Sequence, residues 1–203
     1  MRACRAVVVG VALLCSSAVL AEEAGFEVKV GGKTYPMSLE QPLKVTTPKG
    51  ETVELIVSRK KAISYNKAGL AFQYPSEMKL SEATEAGVTT ITLESPASPL
   101  AIIQLYPASV EAKDVLEALA SGVGEGFTER GGQLKALPAP KRTVSGAERQ
   151  GKAFDVVLAG EQLKIELFAW KEKGRTRGLM LQHMKTDTEL ASTQFDVILS
   201  SLK

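Results

Sequence analysis

Apolar and polar residues alternate with a period of two along most of the chain after residue 25, and this alternation limits the fold more than any other feature. Segments of this kind are typical of strands with one buried face. Short turns rich in glycine and proline follow many of them, which predicts mostly antiparallel pairing. The strand-like segments are 26–30, 33–35, 43–47, 53–57, 70–74, 88–95, 100–106, 153–159, 163–170 and 176–184. The segment 100–106 is the most continuously apolar, which predicts a central strand buried on both faces.

Only two segments change to a helical period. The first carries one apolar stripe between Ala112 and Val123, and Ser109 is the candidate cap of its N-terminus. The second closes the chain, and its Thr186 and Glu189 have the spacing of a capping box. The apolar stripe of this second helix consists of Ala191, Phe195, Ile198, Leu199 and Leu202. Each helix must bury its stripe, so we expect both to pack on the sheet.

The N-terminal residues are typical of a secretory signal peptide. Arg2 and Arg5 are cationic, an apolar run covers 6–20, and Val19-Leu20-Ala21 fits a cleavage site. The apolar run is shorter than the roughly 20 residues that a membrane-spanning helix needs. Lipoprotein processing at Cys15 is an alternative, although two bulky leucines precede that cysteine. We therefore expect a periplasmic or secreted protein, cleaved after Ala21, with no membrane span in the mature chain.

These patterns predict an α+β fold, in which a mostly antiparallel sheet is flanked by two amphipathic helices. Two β-hairpins precede this core as an extension. The predicted segments are a signal peptide at 1–21, an N-terminal hairpin extension at 22–65 and an α+β domain at 66–203.

Charge and cysteine content exclude several classes of function. Without Arg2 and Arg5 the chain has 23 basic and 23 acidic residues, so it lacks the basic excess of a nucleic-acid binder. The short basic run Arg59–Lys61 is typical of a solvated strand end. Cys4 and Cys15, the only cysteines, both precede the cleavage site, so the mature chain can form no disulfide and has no thiol nucleophile.

The C-terminal two thirds of the chain resemble a known family. The segment Gly69–Pro75 (GLAFQYP) is followed by strands, a helix, three strands and a closing helix that contains Phe195–Leu202 (FDVILSSL). This arrangement, over 69–203, resembles the PsbP-like group of extrinsic photosystem subunits and small exported bacterial proteins. The resemblance implies an α/β/α fold, which a Ran-binding nuclear import factor shares, and a binding or assembly role without catalysis. It implies no site residues.

Few residues are candidates for catalysis. His183 is the only histidine and could act as a general base or metal ligand, but one histidine without cysteine makes a poor transition-metal site. Ser58 with Lys61, and Ser64 with Lys67, have the spacing of a serine/lysine pair. That spacing requires a helix and companion motifs, both of which are missing here. We therefore expect no catalytic residue, no metal site and no cofactor.

Two further patterns have structural explanations. The run Gly122-x-Gly124-x-Gly126 follows a predicted helix, whereas a phosphate-binding glycine loop follows a strand. We expect these glycines to fray the helix end or form a hinge. Asp187 and Glu189 lie in the first turn of the last helix, where acidic residues favour the helix dipole.

Trp170 is the candidate contact residue for a partner. It shares a strand face with Phe168, opposite Ile165, Leu167 and Ala169. If the latter face the core, Trp170 is half-exposed and available for binding. We favour the alternative, in which a helix covers the second face and buries Trp170.

These observations favour an exported, non-catalytic binding or assembly module with an unknown protein or small-molecule partner. The alternatives are a hydrolase whose site is assembled from scattered residues, and a carrier of a lipid or other small apolar molecule, which would need a large apolar cavity.

Overall fold

A computed structural model describes residues 26–203. The predicted signal peptide 1–21, its cleavage site and both cysteines lie outside the described residues. The described chain divides into two compact units at Arg59 and Lys60, and each unit is described by itself.

The N-terminal unit consists of two β-hairpins, as predicted. The strands of the first are β1 (Phe26–Val30) and β2 (Lys33–Met37), and those of the second are β3 (Leu43–Thr46) and β4 (Thr52–Leu55). Gly31 and Gly32 form the first turn with φ of 57° and 82°. Two successive positive φ values match the right-handed twist of a hairpin, and glycine adopts them at little cost.

The larger unit contains all remaining elements. Its strands are β5 (Ala62–Lys67), β6 (Leu70–Pro75), β7 (Lys79–Glu85), β8 (Val88–Glu94), β9 (Leu100–Tyr106), β10 (Gln133–Leu137), β11 (Lys141–Val144), β12 (Ala147–Gln150), β13 (Lys152–Leu158), β14 (Glu161–Glu172) and β15 (Arg175–Met184), and its helices are α1 (Ala112–Thr128) and α2 (Thr188–Ser201). Seven strands form one antiparallel sheet in the order β10-β13-β14-β15-β9-β8-β7. The predicted α+β class is therefore confirmed.

One face of this sheet is covered over β8, β9, β15 and β14. Helix α2 packs on it together with two hairpins, β5–β6 and β11–β12, and the predicted stripe of α2 is buried. The end of α2 is fixed to β6, because Lys203 and Ala71 exchange backbone hydrogen bonds and the Gln73 N–H donates to Ser201 Oγ at 2.7 Å. Phe168 and Trp170 lie on this face, and both are buried.

The other face carries helix α1. This helix lies across β10, β13, β14 and β15, where Val123 and Phe127 pack with Ile165 and Leu167. Strand β9 is interior in the sheet, but only Ala101, Ile103 and Leu105 are fully buried on it. The prediction that both faces of β9 are buried is wrong. Helix α1 covers the sheet only as far as β15, so it does not cover β9.

The predicted ends of both helices need correction. The glycines were expected to fray the end of α1 or form a hinge, but the helix continues through them to Thr128, because burial of Phe127 offsets the cost of about 1 kcal/mol per glycine. Glu111, not Ser109, occupies the N-cap, and no side chain of the described residues caps this terminus. In α2 the N-cap is Asp187, since a 3₁₀ turn over Lys185–Asp187 moves the start past Thr186 and removes the predicted capping box.

Five strands of the larger unit were not predicted, namely β5, β7, β10, β11 and β12. Each lies at an edge or in a two-stranded hairpin, and most of its side chains are exposed or half-buried. Such strands carry few apolar residues, so they lack the alternation by which strands are recognised.

Among residues 26–203, neither helix has the length and apolar content that crossing a bilayer requires.

Candidate functional site

Three strands of the sheet, β7, β8 and β9, carry neither helix on the α1 side. On this side, a central group of side chains on β8, β9 and β15 is half-buried and uncharged, whereas Glu94 at the end of β8 is exposed and charged. We call this surface the open face, and its residues are Thr90, Thr92, Ile102, Gln104, Tyr106, Met180 and Gln182. Because the strand register places them side by side, these residues form one continuous surface.

Hydrogen bonds order the polar part of the open face. The Tyr106 hydroxyl donates to Gln104 Oε1 at 2.7 Å, and Gln104 Nε2 donates to Thr90 Oγ1 at 3.4 Å. Burial raises the pKa of Tyr106, so its hydroxyl stays protonated as a donor at neutral pH. A row of oriented neutral groups of this kind can bind a polar ligand or a segment of backbone without the free-energy cost of desolvating a charged group.

A groove joins the open face to helix α1. It encloses about 360 Å³ and is lined by Ala118, Leu119, Gly122, Val123, Gly126, Phe127, Arg130, Met180 and Gln182. Gly122 and Gly126 lie four residues apart on one side of α1, and a Cβ atom on either would meet nothing within 4 Å. The missing side chains therefore keep the groove open. Arg130 lies over the Phe127 ring at 4.6 Å and donates from Nε to the Gly126 carbonyl at 2.8 Å.

Gly178 on β15 sets the position of α1 beside the groove. A Cβ atom there would lie 3.1 Å from Val115 Cγ1, 3.2 Å from Leu119 Cδ1 and 3.4 Å from Tyr106 Cε2. The absent side chain lets the first turns of the helix approach the sheet closely. Glycines thus shape this surface in two ways. Gly178 on the sheet lets the helix approach closely, and Gly122 and Gly126 on the helix leave space for the groove.

His183 is brought near Ser98 and Asp187, but the three do not form a catalytic triad. The Ser98 hydroxyl donates to Asp187 Oδ2 and accepts the Met184 N–H at 2.9 Å. His183 Nδ1 lies 2.8 Å from the Met184 carbonyl oxygen, and its ring packs 6.2 Å from Phe195. A triad needs the serine bonded to the histidine. Here the hydrogen bonds from Ser98 lower the pKa of Asp187. The same hydrogen bonds attach the loop before β9 to the start of α2.

The two serine/lysine pairs predicted from spacing do not form catalytic pairs in the structure. Ser58 donates to Glu40 Oε2 at 2.9 Å in the N-terminal unit. Ser64 and Lys67 lie on strand β5, where residues three apart point to opposite faces. The spacing that would place them together on a helix therefore separates them.

Buried charges lie on the α2 side of the sheet, away from the open face. Arg177 is 1% exposed, and its Nη1 lies 2.8 Å from Glu172 Oε2, which also accepts the Trp170 Nε1–H at 3.1 Å. Glu166 forms ion pairs with Arg142 and Lys164. Burial alone would raise the pKa of Glu166, but the hydrogen bonds from these two cations more than offset it and hold the pKa below its usual value. These pairs connect hairpin β11–β12 and neighbouring strands to the core.

Within residues 26–203, no three histidine, cysteine, aspartate or glutamate side chains come together as a metal site would require.

Sequence reasoning missed the open face and the groove. Two features of the sequence could have indicated them: Gln104 interrupts an otherwise apolar strand, and Gly178 interrupts another. A polar residue or a glycine within a strand often marks a place that a ligand or another backbone approaches. The glycines of α1 were noticed, but as a helix end.

Comparison with known proteins gives similarities of fold. No family model matches the chain, and no curated protein matches it. The solution structure of cyanobacterial PsbP (CyanoP) from Synechocystis sp. PCC 6803 is 16% identical, with a TM-score of 0.49, over 70% of this chain and 92% of that chain. The crystal structure of LpqN, a protein involved in cell envelope biogenesis of Mycobacterium tuberculosis, is 14% identical, with a TM-score of 0.44, over 80% of this chain and 90% of that chain. Both similarities concern the fold alone, and the first is to a member of the PsbP group that the sequence resembles.

Proposed function

We propose that the protein is an exported, non-catalytic binding or assembly module whose partner docks on the open face and the adjoining groove. The observation that carries this proposal is the arrangement of the larger sheet. Helix α1 covers only four of its seven strands, and uncharged side chains lie beside the helix.

The chemistry of this surface supports a macromolecular partner. Interfaces combine a central apolar area with hydrogen bonds, and charged residues are depleted at their centre. Ile102 and Met180 supply the apolar part, and Thr90, Gln104 and Tyr106 supply donors and acceptors. The groove volume is at the low end of the roughly 300–1,000 Å³ typical of ligand pockets. An open groove of this size suits an inserted side chain or helix edge better than an enclosed lipid.

The non-catalytic part of the proposal rests on how the candidate residues are used. His183 is 6% exposed and lies next to the Met184 carbonyl, while the nearby Ser98 hydroxyl is engaged by Asp187 and Met184. The one histidine of the chain and the serine beside it are thus engaged in structural contacts, which supports a non-catalytic role.

Export is proposed from residues 1–21, which combine the cationic, apolar and small-residue segments of a signal peptide. We expect N-terminal sequencing of protein recovered from the periplasm or medium to begin at Glu22. The control is the same protein expressed without residues 2–21, which should remain in the cytoplasm. A full-length protein that retains Met1 in the membrane fraction would contradict the proposal.

Filling the groove tests the docking proposal. We expect Gly122→Leu to abolish capture of a partner from the exported fraction of the source organism, because the new side chain occupies the groove. The substitution should not unfold the protein, since leucine is favoured over glycine in a helix by about 0.5–1 kcal/mol. The measurement is affinity capture with each variant, together with urea denaturation.

Gly124→Leu is the matched control. It lies on the same helix and has the same open surroundings, but it faces a different depression, beside Ser121 and Thr128. A partner retained by wild type and Gly124→Leu but lost by Gly122→Leu supports the groove as the binding site. Equal retention by all three proteins would show that the partner does not use it.

A further inference from the structure

The turn between β14 and β15 carries a concentration of positive charge. The segment 171–177 has the sequence KEKGRTR, with four basic residues and one acidic residue. Glu172 pairs with Arg175 in the register, and the two turn residues Lys173 and Gly174 have φ of 49° and 70°. Two positive φ values in a two-residue turn are those of a tight hairpin. The charges are therefore held on a defined turn, which we call the basic tip.

The one carboxylate of the basic tip is already occupied. Glu172 Oε2 is shared by Arg177 Nη1 at 2.8 Å and Trp170 Nε1 at 3.1 Å. Burial would raise the pKa of Glu172, but its bond to Trp170 and the Arg177 charge outweigh this effect, so its pKa is lowered and it stays ionised. Its carboxylate is thus held mainly by Trp170 and Arg177, and the charge of Lys173 contributes a weaker interaction.

The cations of the basic tip are only partly compensated. Lys171 forms an ion pair with Glu111, and both side chains are largely exposed. No carboxylate of residues 26–203 lies within 4.0 Å of a side-chain nitrogen of Lys173 or Arg175, and both residues are exposed. Lys173 and Arg175 are therefore two exposed cations without an ion-pair partner among the described residues.

A small depression lies among these cations. It encloses about 250 Å³, and its lining consists of Ala108, Lys171, Glu172, Lys173, Gly174 and Arg175. This volume is below the roughly 300–1,000 Å³ of sites for drug-sized ligands, which favours a compact group. The guanidinium of Arg175 can donate two parallel hydrogen bonds to a phosphate, and the ammonium groups add charge without a directional requirement.

We propose that the basic tip is a binding site for a phosphate group. The group can belong to a soluble phosphate compound or to the headgroup of an anionic lipid, since both present the same charged oxygens. This site lies on the β14–β15 turn and does not include the groove residues, so it is independent of the docking proposal above.

The test compares one double variant with a charge-matched control. Lys173→Gln/Arg175→Gln removes the two uncompensated cations, whereas Lys79→Gln/Lys135→Gln removes two exposed cations from β7 and β10, the edge strands of the sheet. Inorganic phosphate is titrated against ¹⁵N-labelled protein, and phosphatidylglycerol and phosphatidylcholine vesicles are each sedimented with the protein. We expect the tip variant to weaken binding about tenfold or more, and salt to weaken wild-type binding, because exposed charges are screened.

Each outcome decides the proposal. Loss of phosphate binding in the tip variant but not in the control supports a soluble phosphate ligand. Loss of binding to phosphatidylglycerol vesicles in the tip variant alone supports a lipid headgroup. Equal loss in both double variants would indicate a response to net charge only and would overturn the proposal, as would wild-type protein that binds neither probe.

Discussion

Replacement of Phe195 by alanine is expected to lower the free energy of unfolding by about 3–5 kcal/mol. Phe195 is 1% exposed and lies in the middle of the apolar stripe of α2, within the cluster that joins this helix to the sheet. The loss combines the transfer energy of the ring with the cavity that a rigid sheet leaves behind. This loss is a large fraction of the roughly 5–15 kcal/mol by which folded domains are typically stable. Trp170, the only tryptophan, lies in the same cluster and reports urea unfolding by fluorescence.

Leu190→Ala is the matched control, because Leu190 lies on the same helix and is 41% exposed. We expect this variant to change the unfolding free energy by less than about 1 kcal/mol, as substitutions at exposed positions usually do. If Phe195→Ala and Leu190→Ala unfolded at the same urea concentration, helix α2 would not be docked on the sheet as described.

The buried elements of the fold were predictable because burial on one side creates a period. Strands β8, β9, β13, β14 and β15 all place alternate side chains in the core, and the stripe of α2 does the same every three to four residues. The same periods also predicted the two α-helices and their positions in the order of elements. The burial of Trp170, which shares one face of β14 with Phe168, was also expected, because buried aromatic residues are common.

The peripheral strands were not predictable for the same physical reason. Strand β7 buries none of its side chains fully and is held mainly by backbone hydrogen bonds to β8. Hairpin β11–β12 buries only Val144 and is attached through charges such as Arg142 with Glu166. Backbone pairing and long-range ion pairs leave no period in the local sequence.

The length of α1 shows how tertiary packing overrides local preference. Glycine is among the least favourable helix residues, so three of them predict a weak last turn that frays or forms a hinge. In the structure Val123 and Phe127 alternate with the glycines and are buried against the sheet, so the helix continues. The glycines therefore have a different effect: Gly122 and Gly126 leave space for the groove beside β15.

The candidate site could be predicted only in part. Alternation shows that a strand has two different faces, but it does not show how far a helix extends across a sheet. The open face exists because α1 covers β10, β13, β14 and β15 and stops there. That extent depends on the sheet order, in which β9 pairs with β15 far along the chain. Such long-range pairing is invisible to a local pattern.

Replacement of Gly151 by alanine is expected to destabilise the protein by about 3 kcal/mol. Gly151 is buried just before β13, and its N–H donates to the Pro140 carbonyl at 3.0 Å. A Cβ atom there would lie 2.1 Å from the Leu167 carbonyl oxygen and 2.7 Å from Phe168 Cδ1. The oxygen belongs to the backbone of β14 in the interior of the sheet, so no side-chain rotation relieves the overlap and the strands must separate.

Gly124→Ala provides a control of opposite sign for this substitution. Its Cβ atom would meet nothing within 4 Å, and Gly124 lies inside helix α1. Alanine should therefore stabilise the protein by up to about 1 kcal/mol. Urea denaturation followed by Trp170 fluorescence measures both variants on one scale. Were Gly151→Ala as stable as wild type, the close approach of the β12–β13 connection to β14 would be wrong, and with it the packing that places hairpin β11–β12 against the core.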